Sequence, residues 1–349
     1  MRHYYLTLLL VVSACAAARA GNPDRQGEAG AYELLLNPFA RSAGLSSIST
    51  SYVAGAEAMR INVAGLGRVD GLEVTASNMQ YLVGTDINMN AVGFAADLGN
   101  GQALGVTLAA LSFGEIDLTT TLSPADNGST FSPTFFHIGL GYSKTFDEKI
   151  SVGIGLRFIN EAIFNASATG FAVDAGVQYA SGEENEFKLG ISLRNVGLGM
   201  RFSGDGITEQ FREPGGDYNL SANQRVADFE LPFQLNIGTS YDLRVDDDNL
   251  IVLLGNFTSN AFSRDRIGGG LEYSFRKVAT VRGGYSYELD DEANLPGSLE
   301  TGVAAGISLA LPLSKPNDLG RRRYVSLDYA YRPTRRFEGI HNLGLRLQI

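Results

Sequence analysis

From position 149 to 158 the chain reads KISVGIGLRF, in which Ile150, Val152, Ile154, Leu156 and Phe158 alternate with Ser151, Gly153, Gly155 and Arg157. Neighbouring side chains of a strand point to opposite faces, so this stretch predicts one apolar face and one small or charged face. The same period of two recurs at 187–193, 233–241, 303–311, 325–331 and 343–349, and no helical periodicity of comparable length competes with it. Extended along the chain, the pattern predicts about fourteen strands, near 71–83, 87–98, 102–117, 134–146, 149–163, 169–181, 186–200, 229–243, 249–259, 266–276, 278–289, 299–312, 322–332 and 339–349.

The connections alternate in length. Tight links (99–102, 146–149, 181–186, 245–249, 276–277) follow even-numbered strands, and longer ones (118–133, 164–168, 200–228, 260–265, 290–298, 333–338) follow odd-numbered strands; 83–86 and 314–322 depart from the rule. An even strand count with short turns at one rim and long loops at the other is the arrangement of an outer-membrane barrel. Charge agrees, because Arg157, Arg194, Glu272, Arg282, Asp328 and Arg346 all fall on the small, polar face. A charge facing lipid at mid-depth costs about 2–4 kcal/mol, so that face is assigned to the lumen and the apolar one to the bilayer. The fold expected is an all-β, 14-stranded antiparallel transmembrane β-barrel over 71–349. A secreted β-sandwich or propeller shares the alternation but accounts for neither the loop asymmetry nor the glycines. Residues 21–70 lack sustained alternation and form a separate N-terminal segment, read as a plug folded into the lumen or else a loose periplasmic tail.

Composition adds the remaining bounds. Glycine fills 42 of 349 positions, well above the ~7% of ordinary proteins. Tryptophan is absent, leaving 15 Tyr and 19 Phe to supply interfacial aromatics. The chain opens with a basic start, an apolar run from Tyr4 to Val12 and the small-x-small sequence Ala18-Arg19-Ala20, a secretory leader (1–20) cleaved after Ala20. An alternative is a lipoprotein box at 12–15 with Cys15 lipidated. Cys15 is the single cysteine, so a chain beginning at Gly21 has neither disulfide nor thiol chemistry. The formal net charge of −10 argues against nucleic acid as a partner. The predicted location is the cell outer membrane, with its lipid as a partner.

Candidate chemistry is sparse. Beyond the leader only His137 and His341 remain, so the spacings of His/Cys metal sites do not occur, and no catalytic, metal or cofactor site is assigned. A Ser/His pair around His137 and Ser143 is the one hydrolytic alternative. The acidic stretches 244–249 and 289–294 offer carboxylates to calcium, with solvated turns as the simpler reading. The glycine run 268–270 reads as close lumen packing, and Arg321–Arg323 as a cluster attracted to lipid headgroups. The long polar loops 118–133 and 200–228 carry Phe131, Phe202, Phe211 and Tyr218, the aromatics chosen as a partner or ligand surface.

Several stretches carry a family resemblance: NPFARSAGLSSISTSYVAG (37–55), INVAGLGR (61–68), FGEIDLTTT (113–121), INEAIFNASATGFAVDAGVQY (159–179), LGISLRNVG (189–197), LPFQLNIGTSYDL (231–243), SLDYAYRP (326–333) and GIHNLGLRL (339–347). The chain resembles the PorV/PorQ family of the Bacteroidota type IX secretion system, related in fold to fourteen-stranded long-chain fatty-acid transporter barrels. It departs from that pattern at Val63, where the family has proline, and at Ile349, where an aromatic is common. The resemblance implies a non-enzymatic export component that binds cargo C-terminal signal domains, the translocon barrel or the surface-attachment complex through its outer loops. It also implies binding roles for Asn37, Arg41, Asn62, Gly65 and Leu66, with fold maintenance as the simpler reading. The alternative function, from the related fold and the plug-like segment, is a fatty-acid-transporter-like uptake channel for hydrophobic small molecules; a purely structural membrane protein also fits.

Overall fold

The computed structural model describes residues 21–119, 128–212, 219–289, 298–313 and 323–349. Fourteen strands form one closed barrel: β1 (Leu72–Gln80), β2 (Asn88–Gly99), β3 (Gln102–Ser112), β4 (Thr134–Phe146), β5 (Ile150–Ile163), β6 (Ala166–Ser181), β7 (Phe187–Gly197), β8 (Gln234–Arg244), β9 (Asn249–Asn260), β10 (Arg266–Phe275), β11 (Ala279–Glu288), β12 (Val303–Pro312), β13 (Tyr324–Arg332) and β14 (Ile340–Gln348). Each strand pairs antiparallel with its chain neighbours. β1 closes on β14 in the register Glu73↔Gln348, and Leu72 and Ile349 exchange backbone hydrogen bonds of 3.0 and 2.8 Å. Closure leaves the wall without an edge, so every backbone polar group can pair within the sheet.

The alternation in β5 resolves into two faces. Ile150, Val152, Ile154 and Leu156 point outward with 43–57% of their surface exposed, while Ser151 and Arg157 point inward at 0% and 3%. An outward belt of Leu, Ile and Val runs round the barrel. It is bordered by Phe146, Tyr179, Phe187, Tyr241 and Phe275 near the short turns and by Phe164, Phe171, Tyr285 and Tyr287 toward the other rim. These rings occupy the interfacial positions that tryptophan fills in other barrels.

Strand ends differ from the sequence pattern where local chemistry intervenes. β3 stops at Ser112 rather than 117, because Ile116–Asp117 pairs with Thr130–Phe131 in a separate two-stranded piece. β7 stops at Gly197, after which Met200 exchanges backbone hydrogen bonds with Phe229. β8 starts at Gln234 because Pro232 has no N–H to give the ladder. The link expected over 164–168 is a two-residue turn, Phe164–Asn165, so β5 and β6 make one long hairpin of 14 and 16 residues.

Residues 21–71 run through the lumen from the long-loop rim to the short-turn rim. The segment begins beside Asn260 and Asp265 and forms a 3-10 turn (Tyr32–Leu35), two one-turn helices, α1 (Ala40–Ala43) and α2 (Ala58–Ile61), and a 3-10 helix (Val63–Arg68). It leaves beside the 147–149 turn, where Arg68 donates to the Lys149 carbonyl. Its largest core unites Val53, Met59, Ile61, Val63 and Leu66 with Ala95 and Ala103 of the wall. This filling accounts for the glycines of the polar face. A Cβ at Gly153 would lie 2.6 Å from the Ala64 nitrogen, one at Gly105 2.6 Å from Leu66 Cδ2, and one at Gly268 2.6 Å from Ile48 Cγ2.

The leader with Cys15, Tyr218, positions 290–294 of the second acidic stretch, and Arg321 and Arg322 lie outside the described residues.

Candidate functional site

The long-loop rim carries an apolar groove of about 440 Å³, lined by Leu118, Phe131, Ile163, Phe164, Phe202 and Ile207, with Asn165 as the one polar side chain among the lining residues. The local chain explains the cluster. The tight turn of the β5–β6 hairpin presents Ile163 and Phe164, with Phe164 held at φ 50°. The two-stranded piece brings Phe131 into edge contact with Phe164, ring centres 5.8 Å apart. A 3-10 turn (Asp205–Ile207) adds Ile207. Phe202 stacks obliquely on Phe229 at 5.8 Å, and Phe229 in turn covers Gly30 of the lumen segment. The groove therefore rests against the start of the plug.

Beneath this rim the interior is mixed, with Leu34, Ile159, Ala172, Met200 and Leu231 forming an apolar cluster against Phe202 and Phe229. A second cavity of about 160 Å³ lies between Ser46, Ser47 and Ile48 of the segment and wall residues that include Arg194, Asn236 and Arg332. Deeper still, two buried charge networks fasten segment to wall. In one, Arg157 bridges Asp174 (2.6 Å), Asn195 Oδ1 (2.6 Å) and the Met59 carbonyl (3.1 Å). Asp174 points inward by the alternation of β6, and a register shift opposite it sets Arg194 and Asn195 of β7 both inward, where Asp174 Oδ1 accepts the Asn195 N–H at 2.7 Å. In the other, Glu272 receives Arg282 (2.8 Å) and the Tyr52 hydroxyl (2.8 Å), Arg282 continues to Ser308 (2.7 Å), and Ser308 bonds Asp328. Glu33, in the segment and not in a spanning strand, is pushed up to about 8, first by burial and then by the Glu161 charge, with which its carboxyl is hydrogen-bonded.

The five residues taken from the family motifs all lie in the segment, away from the groove. Asn37 ties a corner, donating to Ser42 Oγ (2.9 Å) and Ser47 Oγ (3.0 Å) and accepting the Phe39 N–H (3.1 Å). Arg41, in α1, stands in the field of Glu57, Glu272, Glu73 and Asp328. Asn62 caps the Val63–Arg68 helix through Ala64 N–H and donates to the Thr50 (2.9 Å) and Val177 (3.2 Å) carbonyls. Gly65 packs against Val53 and Ala58, and Leu66 is wholly buried. Of the loop aromatics, Phe131 and Phe202 line the groove, whereas Phe211 stands half-exposed on a separate hairpin (Thr208–Arg212 with Asn219–Asn223). Leu118, Ile163, Phe164 and Ile207 were missed; an aromatic at a strand end followed by Asn165 was the available signal.

Among the described residues the alternative chemistries find no assembled site. Ser143 Oγ bonds the Ala64 and Val152 carbonyls, while His137 Nε2 faces Arg60 at 3.2 Å. Among the described residues no group of three His, Cys, Asp or Glu is placed to hold a metal, and in the 244–249 turn Asp246 is engaged by Asn249 and Asp248 by Arg276.

Neither a protein-family model nor a curated protein matches the chain. Solved structures do. The toluene transporter TodX of Pseudomonas putida aligns at TM-score 0.55 and 14% identity over 89% of this chain and 97% of that one. The toluene transporter TbuX of Ralstonia pickettii aligns at 0.53 and 14% over 90% and 98%. A TodX deltaS2S3 mutant described as a monoaromatic hydrocarbon channel aligns at 0.51 and 14% over 88% and 96%. At that identity the likeness is one of fold. It corrects the type IX secretion reading, since the solved barrels matched here are described as hydrocarbon transporters and none of them is a secretion component; the chain has the closed fourteen-stranded architecture of the outer-membrane barrels it matches.

Proposed function

We propose that this protein is an outer-membrane barrel that captures small hydrophobic molecules at its long-loop rim for uptake across the membrane. The observation that carries the reading is the groove between Leu118, Phe131, Phe164 and Phe202, whose walls are almost wholly apolar and whose volume of about 440 Å³ suits a single aromatic ring or a short acyl chain. The transport of toluene by TodX and TbuX, barrels of like fold, supports the same class of cargo. The outward apolar belt and its two rows of aromatic rings support placement in the outer membrane, with the short turns periplasmic.

Direct binding tests the proposal. Toluene and dodecanoate are titrated into the detergent-purified barrel by calorimetry, beside a Phe164→Glu variant. Binding to the parent that weakens about tenfold or more in the variant supports it, because a carboxylate on the groove wall opposes an apolar ligand. A parent that binds neither probe sinks it.

A further inference from the structure

The sequence predicts leader cleavage between Ala20 and Gly21, and the structure shows where the new end would lie. The Gly21 nitrogen donates to Asp265 Oδ2 at 2.8 Å, and Asp265, buried in the 261–265 link between β9 and β10, accepts the Asn260 N–H on its other oxygen at 3.2 Å. The carboxylate is thus held in place. A Cβ at position 21 would sit 2.6 Å from Asp265 Oδ1 and 2.9 Å from its backbone nitrogen, so the position accepts glycine alone. The residues that follow are fastened to the same rim. The Arg25 guanidinium covers the Phe262 ring at 4.4 Å and reaches Glu28 (2.7 Å) and Glu230 (2.9 Å), while Gly30 N–H donates to the Glu230 carbonyl at 2.9 Å.

We propose that Asp265 is the receptor for the α-ammonium group that leader cleavage creates on Gly21, and that this ion pair latches the lumen segment at the mouth of the barrel. Hydrolysis of the Ala20–Gly21 bond by a leader peptidase consumes one water, leaves a carboxylate on Ala20, and gives Gly21 an amine that is protonated at neutral pH. The amide of an uncleaved chain offers Asp265 one neutral N–H. The ammonium offers charge and three donors, and charge-assisted hydrogen bonds are roughly twice as strong as neutral ones. Topology makes cleavage the earlier step. Gly21 lies at the long-loop rim, whereas Arg68 and Leu72 lie at the short-turn rim, so a leader still anchored on the periplasmic side would have to cross a filled lumen. This ordering rests on the outer-membrane reading; the latch itself does not.

The test refolds three chains in detergent: one starting at Gly21, the same chain with Asp265→Asn, and one with two alanines placed before Gly21. Two rates are read, acetylation of the α-amine and tryptic cleavage after Arg25. In the chain starting at Gly21 acetylation should be about tenfold slower than in Asp265→Asn, and trypsin should cut about tenfold faster in both altered chains than in the parent. Equal rates in all three overturn the latch, as does mass spectrometry of the native protein that places its first residue elsewhere than Gly21. A latched barrel that binds no hydrophobic probe would overturn the transport reading alone.

Discussion

Gly153 shows at the scale of single atoms why one face of these strands is so small. Its missing side chain leaves room for the backbone of Val63 and Ala64, so Gly153→Val drives two methyls into a main chain that cannot change rotamer. Overpacking of this kind costs about 1–3 kcal/mol. The expected result is a barrel that still forms but holds its lumen segment loosely, read as faster proteolysis within 53–68 with little change in β-sheet circular dichroism. Glu33 makes a prediction of the opposite sort, in which pH is the variable. Its folded value of about 8 lies above the ordinary carboxyl value of 4.5, so between those limits the folded chain holds the extra proton. The turn at 32–35 is therefore most firmly docked below about pH 4.5, and its stability falls as pH rises through 8. Hydrogen exchange of 31–36 should quicken over that range in the parent. Glu33→Gln, which keeps the hydrogen-bonding shape without the charge, should flatten the dependence.

Between elements, the buried pairs set which contacts matter. Arg157 on β5 holds Asp174 on β6 and the Met59 carbonyl of the segment at once. Arg157→Met strands the Asp174 carboxylate in the lumen, and breaking one half of a buried pair costs about 3–5 kcal/mol. The folded band on unheated gels should melt at lower temperature in Arg157→Met, and an added Asp174→Leu should recover part of the loss; no recovery would mean that Arg157 acts through Met59 and Asn195 instead. The sequence announced this network only in part. Alternation put Arg157 on the inner face, and strand length and pairing order followed from the same period, because a bilayer outside and a packed lumen inside impose one rule on every strand. The same alternation put Asp174 inward, but the bulge that turns Arg194 and Asn195 of β7 both inward has no such signature, and neither has the path of residues 21–71, where short turns and side-chain hydrogen bonds replace periodicity. The groove was half legible for a related reason. Phe131 and Phe202 stood out as aromatics in polar loops, whereas Ile163 and Phe164 were hidden at the end of a strand whose turn proved to be two residues long.

At the scale of the whole barrel, the lumen segment decides what can pass. Fourteen strands enclose a space wider than side chains alone fill, and here residues 32–68 occupy it with two small helices, a capped 3-10 helix and buried polar contacts such as Asn62 to the Thr50 and Val177 carbonyls. The buried packing of the described segment against the wall narrows the lumen for water and ions, so the intact protein in a planar bilayer should show little steady conductance. Deleting 21–68 removes the filling yet leaves every strand-to-strand pair of the wall, including β1 with β14. The deleted chain should still refold to a heat-modifiable barrel and should conduct ions steadily. It should also keep some affinity for hydrophobic probes, since Leu118, Phe131, Phe164 and Phe202 belong to the wall and its loops, although the loss of Gly30 beneath Phe229 weakens the floor of the groove. Conductance gained with probe binding retained would separate capture at the rim from gating in the lumen. A deleted chain that refolds but stays closed would mean that the loops, and not the segment, seal the barrel.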